Sequence, residues 1–187
     1  MPSFELVAFL VSLSFFHGSE FFFAFLYNRQ DLSRRSWLIS KPYCLAMLAA
    51  ILEYSLESMI PALRAKWISV FGLGMIIVGE IIRKTAMITA QHNFTHVLQS
   101  ERRDNHVLIT HGIYRYFRHP GYFGWLLWML GTQVLLVNPI CIIFFITVAW
   151  HFFRHRISFE EEQLHYFFGW QYDEYAQKVP TRIPFLD

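Results

Sequence analysis

The sequence predicts an all-α integral membrane protein with about five membrane-embedded helices, three spans followed by a helical hairpin. Three observations carry this. The chain is 55% hydrophobic and 16% charged, with twenty phenylalanines among 187 residues, which is a membrane-protein composition. Apolar runs of bilayer length alternate with short polar loops. The longest polar interval, residues 91–120, is followed directly by further apolar runs. Length makes residues 1–187 a single domain, with transmembrane helices in 1–90 and the remaining elements in 91–187. The net charge of +2 says nothing about nucleic acid, because the basic residues are dispersed among apolar runs and form no continuous patch, and no nucleic-acid partner is expected.

Phe4 to Tyr27 exceeds the about 20 apolar residues that a span needs. It begins without a basic n-region or a small-residue cleavage site, so it reads as a retained span rather than a signal peptide. His17 and Glu20, three apart, share one face. Ionisable groups within a span are functional hypotheses by default, and the plainer reading is hydrogen bonding to a neighbouring helix. Residues 28–42 form a polar loop. Tyr43 to Ile60 is the second span, with Glu53 and Glu57 reaching the interface near its far end, and Pro61 ends it. Trp67 to Thr89 is the third, with Trp67 as an interfacial anchor and Glu80 and Lys84 spaced to pair. Cys44 and Cys141 each lie inside an apolar run and read as packing residues without a disulfide.

Residues 91–119 are too polar for lipid. Residues 121–153 then fold about Asn138-Pro139 as two arms of about 16 residues, roughly 24 Å each, either two tilted spans or a re-entrant hairpin. From Arg154 the chain turns polar. Ile157, Leu164, Phe167 and Phe168 predict a separate amphipathic helix on the membrane surface. Residues 179–187 read as a non-helical tail. In this layout the loop at 28–42, the segment at 83–120 and the tail from 154 share one side. They hold fourteen of the sixteen Lys and Arg residues, which puts that side in the cytoplasm.

The stretch from Gln99 to Tyr122 holds three histidines and four arginines and ends on His119-Pro120-Gly121-Tyr122. Proline suits the first position of a helix, and the amides of Gly121, Tyr122 and Phe123 would then be free to hold an anion. His92 and His96 stand four apart, but Asn93 replaces the glutamate of a His-Glu-x-x-His helix, so no metal site is expected. Arg156 and Glu160 are also four apart, and a local ion pair is their simplest reading.

Gly112-Ile113-Tyr114-Arg115, then Arg118-His119-Pro120, Tyr122 and Gly124, carry a further signal with their downstream counterparts. Those are Arg156, Glu160-Glu161, Phe168-Gly169, Tyr172, Tyr175 and Val179-Pro180. Together they resemble the signature of integral-membrane methyltransferases of the isoprenylcysteine carboxyl and phospholipid type. Ser14 to Glu20 and Gly79 to Lys84 extend the likeness upstream for the isoprenylcysteine carboxyl methyltransferase family. The resemblance implies a cytoplasmic cofactor-binding region formed by residues 91–120 and the C-terminal helix. S-adenosylmethionine is its implied cofactor, bound by Gln99, His106, Val107, Leu108, Ile109, Tyr114, His119, Pro120, Gly121, Tyr122 and Glu160. It implies a substrate-side arginine at Arg156. Animal members of the family carry additional N-terminal spans, and this chain starts near what would be their third.

The side chains suit that cofactor. A helix start suits its carboxylate, Glu160 its ammonium or ribose hydroxyls, tyrosine faces its sulfonium, and the 106–109 backbone its adenine edge. The implied acceptor is the C-terminal carboxylate of a farnesyl- or geranylgeranyl-cysteine on CaaX-processed proteins such as small GTPases, in the endoplasmic reticulum membrane. An α-carboxyl ionises near about 3.5, so the nucleophile needs no general base, and orientation with exclusion of water supplies the catalysis. Phe123, Trp125 and Trp128 either line a gap for the prenyl chain or simply pack. Two enzyme alternatives remain. A phosphatidylethanolamine-type N-methyltransferase shares both signature elements but has no need of Arg156. A sterol-reductase-like NADPH enzyme has a similar turn but differs at Ile157-Ser158-Phe159. The non-enzymatic alternative is a lipid-binding scaffold.

Overall fold

The computed structural model describes residues 3–59, 65–97, 101–102, 105–184 and 186. They form helices α1 (Phe4–Tyr27), α2 (Lys41–Glu57), α3 (Lys66–Ala90), α4 (Pro120–Leu136), α5 (Pro139–Phe168) and α6 (Trp170–Lys178), joined by short 3-10 turns. Among the described residues there is no strand. The five helices expected in the membrane all form. Of these, α1 and α5 are long and apolar enough to cross one, with mean hydropathies of 1.6 and 1.4. Serines begin the first two: Ser3 accepts from the Leu6 amide and Ser40 from the Tyr43 amide. Prolines occupy the first turns of α4 and α5, where a missing N–H loses nothing.

The tightest packing lies between α3 and α4, which run antiparallel with their backbones in near contact. Gly72 and Gly79 on α3 face Gly131 and Gly124 on α4, each pair seven residues apart in its own helix. A Cβ on Gly79 would sit 2.6 Å from the Trp128 amide nitrogen, and one on Gly124 would sit 2.7 Å from the Arg83 nitrogen. In lipid no hydrophobic drive holds helices together, so close van der Waals approach at small residues supplies the adhesion. Trp128 fills the space beside this seam. It is fully buried, stacks on Phe16 of α1 at 4.0 Å and donates its indole N–H to Ser12. Trp128 is therefore a packing residue. Large apolar side chains left exposed on α1, α2, α3 and α5, such as Val11, Leu52, Phe71 and Ile143, form surfaces suited to lipid contact.

Two expectations need correction. No separate C-terminal amphipathic helix begins at Arg154. α5 runs without interruption to Phe168 and stops at Gly169, whose φ of +54° suits glycine. The polarity change at Arg154 marks a change of surroundings along one helix, because nothing between Ile140 and Phe168 breaks it. Only the nine-residue α6 follows. Glu53 does not reach an outer interface. Its carboxylate oxygens accept from the Ile140 and Cys141 amides, each at 2.7 Å, capping α5 across the fold.

His17 and Glu20 follow the plainer reading. His17 bonds the Tyr43 hydroxyl and the Trp37 carbonyl. Glu20, fully buried, takes a bidentate pair from Arg83 at 2.6 and 2.7 Å and a further contact from Lys84 at 2.5 Å. Lys84 also lies 3.4 Å from Glu80, the expected partner, but its shorter contact is with Glu20.

Candidate active site

The end of α3 and the segment after it, the start of α4, the second half of α5 and one face of α6 meet around a cleft enclosing about 960 Å³ of empty space, its open mouth included. Apart from Gln99, which lies outside the described residues, every residue that the resemblance assigns to cofactor or substrate lines it. His106, Val107, Leu108 and Ile109 supply one wall. Asn93 holds that wall by accepting from the Val107 amide at 2.9 Å, and His106 lies edge-on to Phe167 and Phe168. Tyr114 lies in a 3-10 turn opened by Gly112, whose φ of +59° suits glycine and whose missing side chain leaves room for Thr89. The Tyr175 hydroxyl, on α6, donates to the Tyr114 carbonyl at 2.8 Å.

The start of α4 is more committed than the sequence implied. Helix α4 does begin at Pro120, but the His119 carbonyl accepts from both the Tyr122 and Phe123 amides at 3.1 Å. The anion cradle thus narrows to the Gly121 amide. The Gly121 carbonyl accepts from Arg83 at 2.8 Å, which ties this turn to α3. The His119 imidazole is buried against Glu161 at 2.9 Å, and Arg118 binds the same carboxylate at 2.6 Å. Arg118 also donates to the Ala176 and Val179 carbonyls, which sets α6 against the cleft. These anchoring roles of Arg118, Glu161 and Tyr175 went unassigned from the sequence, although all three belong to the signature.

At the centre, Arg156 and Glu160 do not pair directly. Tyr122 stands between them: its hydroxyl donates to Glu160 and accepts from Arg156 Nε at 2.8 Å. Arg156 Nη2 donates to the His96 carbonyl at 2.8 Å. Among the described residues, the rest of the guanidinium edge makes no hydrogen bond, and it opens on the cleft. His92 and His96 diverge, the first to the Asn105 carbonyl and the second to Glu20, so they do not assemble a shared site. Trp125 packs on Phe152 and Phe153.

The cleft chemistry fits a zwitterionic, partly aromatic cofactor. It offers one carboxylate, a stretch of backbone with apolar cover, and several phenols. The Tyr172 hydroxyl is buried in the wall beside Glu161. Burial pushes the phenols of Tyr114, Tyr172 and Tyr175 up, so all three stay neutral donors at physiological pH.

The sequence profile of the isoprenylcysteine carboxyl methyltransferase (ICMT) family matches residues 72–166. The chain is 48% identical over 186 residues to protein-S-isoprenylcysteine O-methyltransferase B of Arabidopsis thaliana, covering 98% of this chain and 94% of that protein. It is 46% identical over 182 residues to the Homo sapiens protein-S-isoprenylcysteine O-methyltransferase, covering 95% of this chain and 64% of the human one. A solved structure of the eukaryotic intramembrane Ras methyltransferase ICMT superposes with a TM-score of 0.93 at 41% identity, over 97% of this chain and 67% of that one. A helical, membrane-embedded enzyme of the methyltransferase class is thereby defined. More narrowly, the chain belongs to the isoprenylcysteine carboxyl methyltransferase family.

Proposed function

We propose that this protein methylates the C-terminal carboxylate of prenylated cysteine, with S-adenosylmethionine as donor. The observation that carries the reading is the Arg156–Tyr122–Glu160 bridge, which sets a guanidinium and a carboxylate side by side in one cleft. Bound S-adenosylmethionine supplies an electrophilic methyl group on a sulfonium. Glu160 would hold its ammonium or ribose hydroxyls, the 106–109 backbone its adenine edge, and the faces of Tyr114 and Tyr122 its sulfonium.

The chain's own task is orientation. The remaining edge of Arg156 is suited to grip a carboxylate in two places. With the cofactor bound, a carboxylate oxygen would form the new C–O bond as the C–S bond breaks, with no proton moved. An α-carboxyl is already an anion at neutral pH, so the cleft needs no general base. Gripping from Arg156 on one side and packing from Phe153 and Trp125 behind Tyr122 favour an aligned, water-poor encounter.

The acceptors on this reading are CaaX-processed proteins of the small-GTPase kind. Their prenyl chains enter from the membrane lipid, and the chain acts as one domain. Helices α1 to α5 lie in the endoplasmic reticulum membrane with the cleft facing the cytoplasm, as the basic loops favour. The test offers farnesylcysteine and phosphatidylethanolamine in parallel to the enzyme with labelled S-adenosylmethionine. Base-labile label on farnesylcysteine supports the proposal, and label on the phospholipid alone overturns it.

A further inference from the structure

Arg156 owes its position to a buried group that never touches the cleft. Its Nη2 donates to the main-chain carbonyl of His96 at 2.8 Å. That carbonyl sits in an irregular segment after α3, with no helix or strand to hold it. What holds it is the His96 side chain, whose Nε2 meets Glu20 Oε2 at 2.7 Å. Glu20 lies in the last third of α1, is fully buried, and does not line this cleft. The carboxylate is itself fixed by Arg83 and Lys84. Around His96 the packing groups are the Phe94 ring at 6.0 Å between centroids and Arg83, whose guanidinium lies over the same ring.

We propose that His96, anchored on Glu20, is a positioning residue for the acceptor: it sets the height and rotation of Arg156 through its own carbonyl. The proposal rests on the acceptor reading above and adds to it a residue of α1 and one of the segment after α3. Arg156 has two fixed points in this arrangement, Tyr122 on the donor side and His96 on the other. Cutting the His96 tie leaves the Tyr122–Glu160 contact in place. It therefore disturbs the acceptor's grip and spares the donor's site. Glu20 is the wrong place to cut, because its loss would strand Arg83 and Lys84 as buried charges.

The experiment measures steady-state constants for both substrates in His96→Ala and His96→Gln, the glutamine amide being able to donate to Glu20 again. The expected result is a rise of about tenfold in acceptor KM for His96→Ala, with the donor KM changed less than about twofold, and recovery of most of the loss in His96→Gln. A second readout needs no acceptor: labelling of Arg156 by phenylglyoxal, followed by peptide mass spectrometry, quickens in His96→Ala and returns towards wild type in His96→Gln. If His96→Ala fails to fold, His96→Phe keeps a ring, lacks the donor nitrogen and carries the same expectations. Equal rises in both KM values, or unchanged labelling of Arg156, overturn the proposal. If the wild-type protein methylates no prenylcysteine, the acceptor assignment falls, and the labelling rate alone decides whether His96 positions Arg156.

Discussion

Tyr122 separates Arg156 from Glu160: its hydroxyl accepts from the guanidinium at 2.8 Å and donates to the carboxylate. Two residues four apart on α5, close enough to pair, are instead joined through a side chain from α4. The arrangement keeps the two charges from pairing with each other while both face the cleft, so each stays available to a different ligand.

Tyr122→Phe tests that bridge. It removes the acceptor for Arg156 and the donor to Glu160 while keeping the ring. A hydrogen bond to a charged group is worth about 1.5–3 kcal/mol, so even if only one of the two bears on the transition state, kcat/KM should fall roughly 10- to 100-fold or more, with little change in thermal midpoint. Steady-state kinetics beside a thermal melt in micelles separate the two. A midpoint loss that matches the activity loss would make Tyr122 a folding residue.

The glycine seam makes a stability prediction. Gly79→Leu or Gly124→Leu forces side chains into backbone less than 3 Å away, whereas Gly74 and Gly18 have open space about a new Cβ. Overpacking costs about 1–3 kcal/mol or more, so the first two variants should lose folded yield while Gly74→Ala and Gly18→Ala melt at or above the wild-type temperature. Fluorescence-detected size exclusion after a heat step reads both pairs.

The Glu53 cap should be a stabilising feature without a catalytic one. Glu53→Ala leaves the first amides of α5 uncapped and should cost about 1–2 kcal/mol, lowering the thermal midpoint by about 4 °C with KM values unchanged.

Raised phenols predict an alkaline limit. Tyr114, Tyr172 and Tyr175 are protonated in the fold to a higher pH than in the unfolded chain, where tyrosine ionises near about 10. Their stabilisation is complete below that value and is lost as pH rises above it. The thermal midpoint should hold from neutrality to about pH 9 and fall beyond about pH 10, while phenolate absorbance rises. A fall already complete by pH 9 would contradict the burial of these rings.

Much of the site was legible because its parts are short motifs. His119-Pro120-Gly121-Tyr122 announces a helix start, and Arg156 and Glu160 carry charge at a readable spacing. Tertiary choices were not legible. Glu53 meets amides 87 residues away, and Glu20 finds Arg83 63 residues on, so nothing local selects either partner. The 154 boundary failed for a different reason: polarity reports surroundings, while helix termination needs a residue such as Gly169. The paired glycines of α3 and α4 stood in plain view, and their seven-residue spacing in both helices is the signal that could have located the seam.

The most direct test of the account is a comparison of Arg156→Ala with wild type, measuring kcat/KM for farnesylcysteine and the dissociation constant for S-adenosylmethionine in the same micelles. With Arg156 on the acceptor's carboxylate, kcat/KM for the acceptor falls by about 100-fold or more while donor affinity changes less than about threefold. Donor affinity lost in equal measure, or an acceptor that does not notice the change, would contradict the assignment of Arg156 to the acceptor's carboxylate.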